Sequence, residues 1–137
     1  VEYPAPKPGS SAPADTSDAP LLLLIDDEMQ VRQVVQRQLE RLGYRVIATA
    51  NGLAGLNSLS TAQPCAALID MTLPDMDGAE VARGVLEHAP GIAVVLMSGY
   101  RPEELSARLS DLRIAGFLQK PFSLADLRAI LAAALSG

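Results

Sequence analysis

The sequence predicts an α/β fold built on one parallel sheet, and three observations carry that prediction. Five short apolar runs recur along the chain: Leu21–Ile25, Tyr44–Ala48, Ala66–Ile69, Ile92–Met97 and Ala115–Leu118. A run such as Leu21–Ile25 has no polar alternation, as expected of a strand buried on both faces. Each run is followed by a stretch whose apolar residues recur at helical spacing. Strict alternation of strand and helix implies right-handed crossovers and helices on both faces of the sheet.

Composition sets the outer limits. A chain of 137 residues is long enough to bury one substantial core. That core must be aliphatic, because 49% of the residues are hydrophobic while only 4% are aromatic and none is Trp. A net charge of −5 argues against a grip on nucleic acid through phosphate neutralisation, and fits a protein partner or a small anionic donor. The single cysteine, Cys65, excludes an internal disulfide and a multi-thiolate zinc site, and is expected to be a small buried filler. No apolar stretch reaches the roughly 18 residues of a membrane span, and the start of the chain lacks a signal peptide's apolar segment, so the expected location is cytoplasmic, with no membrane contact. Residues 1–20 hold half of the prolines and show no apolar periodicity. They read as a Pro/Ala/Ser-rich linker or tail ahead of one folded domain over residues 21–137.

Within that domain the elements follow in order. After the first strand, Val31, Val34, Val35, Leu39 and Leu42 recur at helical spacing with Arg and Gln opposite, and Gly43 supplies a stop. The Arg32, Arg37 and Arg41 face of this helix is solvated or a docking surface for a partner. Asn51–Ser60 forms a second helix weakened by two glycines. Gly78–His88 turns Val81, Val85 and Leu86 inward and stops at Pro90-Gly91; His88 near its end is a solvated residue. Pro102 opens a helix carrying Leu105, Leu109 and Leu112. Ser123 is the expected N-cap of the last helix, with Asp126 three residues on and Leu124, Leu127, Ile130, Leu131 and Leu135 as its apolar set. Met29 and Met76 are expected to pack.

The chemistry lies where the strands end. Leu21–Ile25 runs into Asp26-Asp27-Glu28, Ala66–Ile69 into Asp70, Ile92–Met97 into Ser98-Gly99, and Ala115–Leu118 into Gln119-Lys120-Pro121. In a parallel sheet these residues share the carboxyl edge, where open α/β sheets bind ligands. Asp26 and Asp27 brought near Asp70 would repel one another without a cation, and all-oxygen ligands suit Mg²⁺. Asp70 then has an oxygen free to attack phosphorus, as aspartyl-phosphate enzymes do. From Leu21 onward nine of the ten basic residues are Arg and one is Lys120; a compact ammonium suits a single phosphoryl oxygen. Ser98 could donate to another. Singly, a DD pair is usually a solvated loop, but four such features at four strand ends reverse the odds.

These residues resemble a known family. Leu21–Glu28, Asp70 followed by Leu73-Pro74-Asp75-Met76-Asp77-Gly78, Ser98, and Phe117-Leu118-Gln119-Lys120-Pro121-Phe122 are similar to the receiver domain of two-component response regulators. The resemblance covers residues 21–137. It implies a flavodoxin-like (βα)5 doubly wound sheet of strand order 2-1-3-4-5, a Mg²⁺ site, and phosphotransfer from phosphohistidine onto Asp70. It implies Asp26 and Asp27 as the acidic pair, the Thr72 backbone carbonyl as a further metal ligand, Ser98 and Phe117 as switch residues, and Lys120 as the lysine of the site. Phe117 stands where the family often has Tyr, so an aromatic switch here works by packing alone. The implied partner is a histidine kinase or a histidine phosphotransfer domain, with no direct nucleic-acid contact; a homodimer stays open. Met97-Ser98-Gly99-Tyr100 and the Phe117–Phe122 segment look most like receivers of hybrid sensor histidine kinases, so the parent chain could be such a kinase while the domain itself only gains and loses its own aspartyl phosphate. Two other readings use the same residues. One is a Mg²⁺-dependent hydrolase or nuclease, which leaves Ser98 and Lys120-Pro121 unexplained, and the other a receiver-like scaffold that is not phosphorylated.

Overall fold

A computed structural model of the chain describes residues 19–136. Ten elements alternate along it: β1 (Leu21–Ile25), α1 (Met29–Arg41), β2 (Arg45–Thr49), α2 (Gly52–Ser58), β3 (Ala66–Asp70), α3 (Gly78–His88), β4 (Ala93–Ser98), α4 (Pro102–Leu109), β5 (Gly116–Gln119) and α5 (Leu124–Leu135). The strands form one parallel sheet in the order β2-β1-β3-β4-β5. The chain leaves β1 toward β2 on one side and returns to β3 on the other. That reversal opens a crevice at the carboxyl ends of β1 and β3.

Successive strand residues point to opposite faces, and the core divides accordingly. Leu23, Ile25, Ala67, Ile69, Val94 and Leu96 pack against α3 through Val81 and Val85, and against Leu105 of α4. Leu22, Leu24, Leu68, Val95 and Met97 pack on the other face against Val35 and Leu39 of α1 and Leu127 and Leu131 of α5. Each buried Leu, Ile, Val or Met among them contributes about 1.5–3 kcal/mol by leaving water, so the middle strands are the rigid part of the molecule. Every residue of β3 is buried.

The helix ends follow the sequence signals closely. Ser123 caps α5 reciprocally with Asp126: Asp126 N–H donates to Ser123 Oγ and Ser123 N–H to Asp126 Oδ2, both over 3.0 Å. Gly43 after α1 sits at φ 101°, a left-handed conformation that side chains with a Cβ resist. Boundaries move by a residue or so: β2 begins at Arg45 and not Tyr44, while β3 and β4 extend to include Asp70 and Ser98. Helix α4 stops at Leu109; Leu112 lies beyond it yet packs on the core.

Three expectations about burial are corrected. Cys65 is exposed, because it precedes β3 at the amino edge, where only its backbone is engaged: its N–H donates to Leu21 O over 2.9 Å. Met29 is 59% exposed and Val34 50%, since the sheet-facing stripe of α1 centres on Val35 and Leu39 and leaves both residues to its side. The linker expected over residues 1–20 falls outside the described residues except for Ala19 and Pro20. Their carbonyls accept from Arg45, Nε to Ala19 and N–H to Pro20, each over 2.9 Å.

Candidate functional site

Strand register assembles the site. Ile25 pairs with Ile69, so the next residues, Asp26 and Asp70, emerge side by side. Ser98 pairs with Gln119, and the Lys120 N–H donates to Ser98 O over 2.7 Å, which fixes the start of the lysine beside the serine. Among the described residues the buried polar and charged side chains are Asp26, Asp70 and Ser98. Burying a charge is costly unless it is paired, and here every instance lies at this one edge of the sheet.

Lys120 holds the cluster together. Its Nζ donates to Asp26 Oδ2 and to Asp70 Oδ2, both over 3.0 Å. Asp26 Oδ1 accepts the Glu28 N–H and Asp70 Oδ1 the Thr72 N–H, each over 3.0 Å. Burial raises the Asp70 pKa, and the Thr72 and Lys120 hydrogen bonds that oppose it do not cancel the effect. For Lys120 burial is likewise the largest single influence and pulls downward, but the bonds and charges of Asp70 and Asp26 together outweigh it, so its pKa rises. The two directions describe one unbalanced site, in which a single ammonium is shared by carboxylates that it does not fully compensate.

The remaining deficit suits a divalent cation. Asp26, Asp27 and Asp70 each offer a carboxylate oxygen, and those atoms lie within 4.8 Å of one another. The donor set is all oxygen and excess negative charge remains after Lys120 is counted, so these residues fit Mg²⁺. Thr72, two residues past Asp70, lies in the β3–α3 loop and pairs with Asp77 through an isolated antiparallel bridge.

That loop is held tightly. A Cβ on Gly78 would lie 2.5 Å from both the Asp70 carbonyl oxygen and Met71 Cα, so only glycine lets α3 start so close to Asp70. Asp77 caps α3 in a box with Glu80 and pairs with Arg108 of α4. Asp75 reaches across to α2 and accepts the Gly52 and Leu53 N–H groups over 2.9 Å each, bonds that lower its pKa. The sequence did not single out this cap, and it set Arg32 on a face expected to be solvated or to dock a partner; Arg32 is instead half-buried, and its Nη1 donates to Asp26 O over 2.8 Å. The capping role of Asp75 had a weak signal in its Pro74-Asp75 turn; Arg32 had none. Ser98 Oγ accepts the Tyr100 N–H over 2.9 Å. Phe117 is half-buried against the core face that includes Leu105.

A family profile described as the response regulator receiver domain matches residues 22–132. The chain belongs to that family. As a receiver domain it is part of two-component signalling. Its similarity to the response regulator receiver protein CpdR of Brucella abortus is 32% identity over 106 residues, covering 77% of this chain and 88% of that protein. The sensor kinase CckA of the same species is 32% identical over 115 residues, 82% of this receiver but only 12% of the kinase. Among solved structures, the receiver domain of a Pseudomonas aeruginosa sensor histidine kinase, with a magnesium ion coordinated in its active-site cleft, superposes with a TM-score of 0.78 at 25% identity, covering 87% of this chain and 99% of that one. Receivers of both stand-alone regulators and sensor kinases are therefore among its relatives. The hydrolase and scaffold readings find no support. Among the described residues no helix is long and apolar enough to cross a membrane.

Proposed function

We propose that Asp70 is the phosphoacceptor of this receiver and takes its phosphoryl group from a phosphohistidine on a histidine kinase or histidine phosphotransfer domain. The observation that carries the reading is the Lys120 bridge, which holds Asp70 and Asp26 together beside Asp27. An Asp70 oxygen attacks phosphorus, the P–N bond to imidazole breaks, and its electron pair stays on the ring nitrogen, which takes up a proton. Asp26, Asp27, Asp70 and the Thr72 carbonyl would hold Mg²⁺, which supplies charge neutralisation for the phosphoryl oxygens.

Lys120 follows the charge. Once one Asp70 oxygen carries the phosphoryl group as an acyl phosphate, the ammonium turns from the carboxylate to a phosphoryl oxygen. Ser98 already accepts from Tyr100, and no acceptor among the described residues takes its own hydroxyl proton, so it can donate to another phosphoryl oxygen. Its movement leaves room for Phe117 to rotate inward and alter the α4–β5–α5 face, a shift between existing states. Docking of the donor is supported by an apolar groove of about 520 Å³ next to Lys120, lined by Val31, Val34, Val35, Pro121 and Phe122. The similarity to sensor kinases supports a hybrid kinase as parent, with residues 1–20 as the linker to the rest of it and the cytoplasm as its place.

Acetyl phosphate with Mg²⁺ should add one phosphate to the intact mass of the wild type and none to Asp70→Asn. Addition to Asp70→Asn sinks the assignment. Amide shifts confined to the loop around Asp70 would sink the coupling to Ser98 and Phe117.

A further inference from the structure

Arg32 has no part in the reading above, yet its Nη1 donates to the Asp26 carbonyl oxygen over 2.8 Å. That carbonyl belongs to the peptide joining Asp26 to Asp27, so the guanidinium holds the plane from which Asp27 projects. The three carboxylates differ in how they are held. Asp26 is fixed by Glu28 N–H and Lys120, and Asp70 by Thr72 N–H and Lys120. The Asp27 carboxylate is exposed and has no hydrogen-bond or ion-pair partner among the described residues, although it lies within reach of the other two. Its aim therefore comes from the backbone.

Two opposing influences act on this cation: the carboxylates of Asp26, Asp27 and Glu28 just before α1 favour it, and the helix dipole does not. Arg32 follows the first turn of α1, where the helix dipole disfavours positive charge. No acidic residue occupies that turn, and the N-cap residue Glu28 makes no side-chain cap bond.

We propose that Arg32 is a positioning residue for the divalent-cation site, clamping the Asp26–Asp27 peptide so that Asp27 stays within coordinating range. The inference rests on the Mg²⁺ reading and adds a residue to it.

The sign of the effect separates this role from simple charge. Removing a positive charge beside a cation site strengthens cation binding by Coulomb's law. Removing a clamp weakens it, by roughly tenfold for a group that orients a metal ligand. The test is a Mg²⁺ titration of the wild type, Arg32→Ala and Arg32→Lys, followed by the amide resonances of Asp27 and Thr72. These resonances report the folded population directly, so a change in stability cannot imitate a change in affinity. Arg32→Ala is expected to bind about tenfold more weakly, and Arg32→Lys, with a single donor nitrogen on a shorter reach, to recover part of that loss. Equal or tighter binding by Arg32→Ala overturns the proposal, and so does an Arg32→Lys variant that binds no better than Arg32→Ala. A wild type without saturable Mg²⁺ shifts overturns the metal reading itself and takes the role of Arg32 with it.

Discussion

Lys120→Met removes the ammonium shared by two carboxylates while keeping most of the apolar stem. Removing one partner of a buried ion pair costs about 3–5 kcal/mol, because the other is left charged and unpaired. Here the Asp26 side chain is fully buried, Asp70 is 8% exposed and Lys120 is 21% exposed. Partial solvation of the Lys120 side chain weakens the pairing and sets the loss toward the lower end of that range, about 3 kcal/mol, even though Asp26 itself is dry. At about 4 °C per kcal/mol for a domain of this size, the melting temperature in EDTA should fall by about 12 °C. Mg²⁺ should reverse much of it. A ligand at ten times its Kd adds about 1.4 kcal/mol to the stability of the state that binds it, and a variant without the competing ammonium should bind Mg²⁺ more tightly than the wild type does. Urea denaturation near neutral pH, with EDTA and then with Mg²⁺, measures both effects. A loss in EDTA below about 1 kcal/mol would show that Lys120 is not compensating a buried charge, and a Mg²⁺ gain no larger than that of the wild type would break the link between lysine and metal.

Other perturbations test the neighbouring parts. Lys120→Arg keeps the charge but replaces a point donor with a planar fork; it should bind Mg²⁺ normally and become phosphorylated, while the amide shifts of Ser98 and Phe117 no longer follow. Because burial raises the Asp70 pKa, its ionisation costs stability that appears as pH climbs from the ordinary value of 3.8. Asp70→Asn should therefore match the wild type in EDTA below that window and exceed it near neutral pH, and a wild type that is the more stable there would refute the sign. Asp75 has a lowered pKa, so its cap on α2 contributes above the ordinary carboxyl range and is lost as pH falls through its own value; Asp75→Ala should speed hydrogen exchange at Gly52 and Leu53, and unchanged exchange would remove the cap. Gly78→Ala forces backbone apart beside Asp70 and should cost about 1–3 kcal/mol of stability, measured by urea unfolding.

Much of this was legible in the sequence, for identifiable reasons. Apolar runs and helical periodicity mark which residues face the core, and strand ends mark where polar groups gather, so the sequence alone places Asp26, Asp70, Ser98 and Lys120 on one edge. The polar contacts across that edge were not legible. Nothing in the spacing of Asp75 and Gly52 shows that a loop carboxylate caps another helix, and a hydrogen bond from Arg32 to a backbone carbonyl leaves no trace in residue type. Cys65 failed for a related reason. A small apolar residue next to a buried strand is buried only if the strand's end is covered, and coverage is a property of the assembled loops.

The distribution of burial also bears on where a change at Asp70 can spread. β3 is buried along its whole length, and α3 buries Gly78, Ala79, Val81, Ala82 and Val85; neither can shift without opening the core. α4 buries Leu105 alone. Elements with few buried apolar contacts open at lower free energy than the core they rest on, so α4 costs little to displace. It begins four residues after Ser98, and Leu105 packs on the same core face as Phe117. Its Arg108 also pairs with Asp77, in the loop that follows Asp70. An exposed pair of this kind contributes at most about 1 kcal/mol, enough to bias the position of α4 and too little to lock it. The proposed movement of Ser98 and Phe117 thus meets a helix held weakly from both sides. A phosphoryl group needs only a modest difference in contact energy between two positions of α4 to change which one dominates.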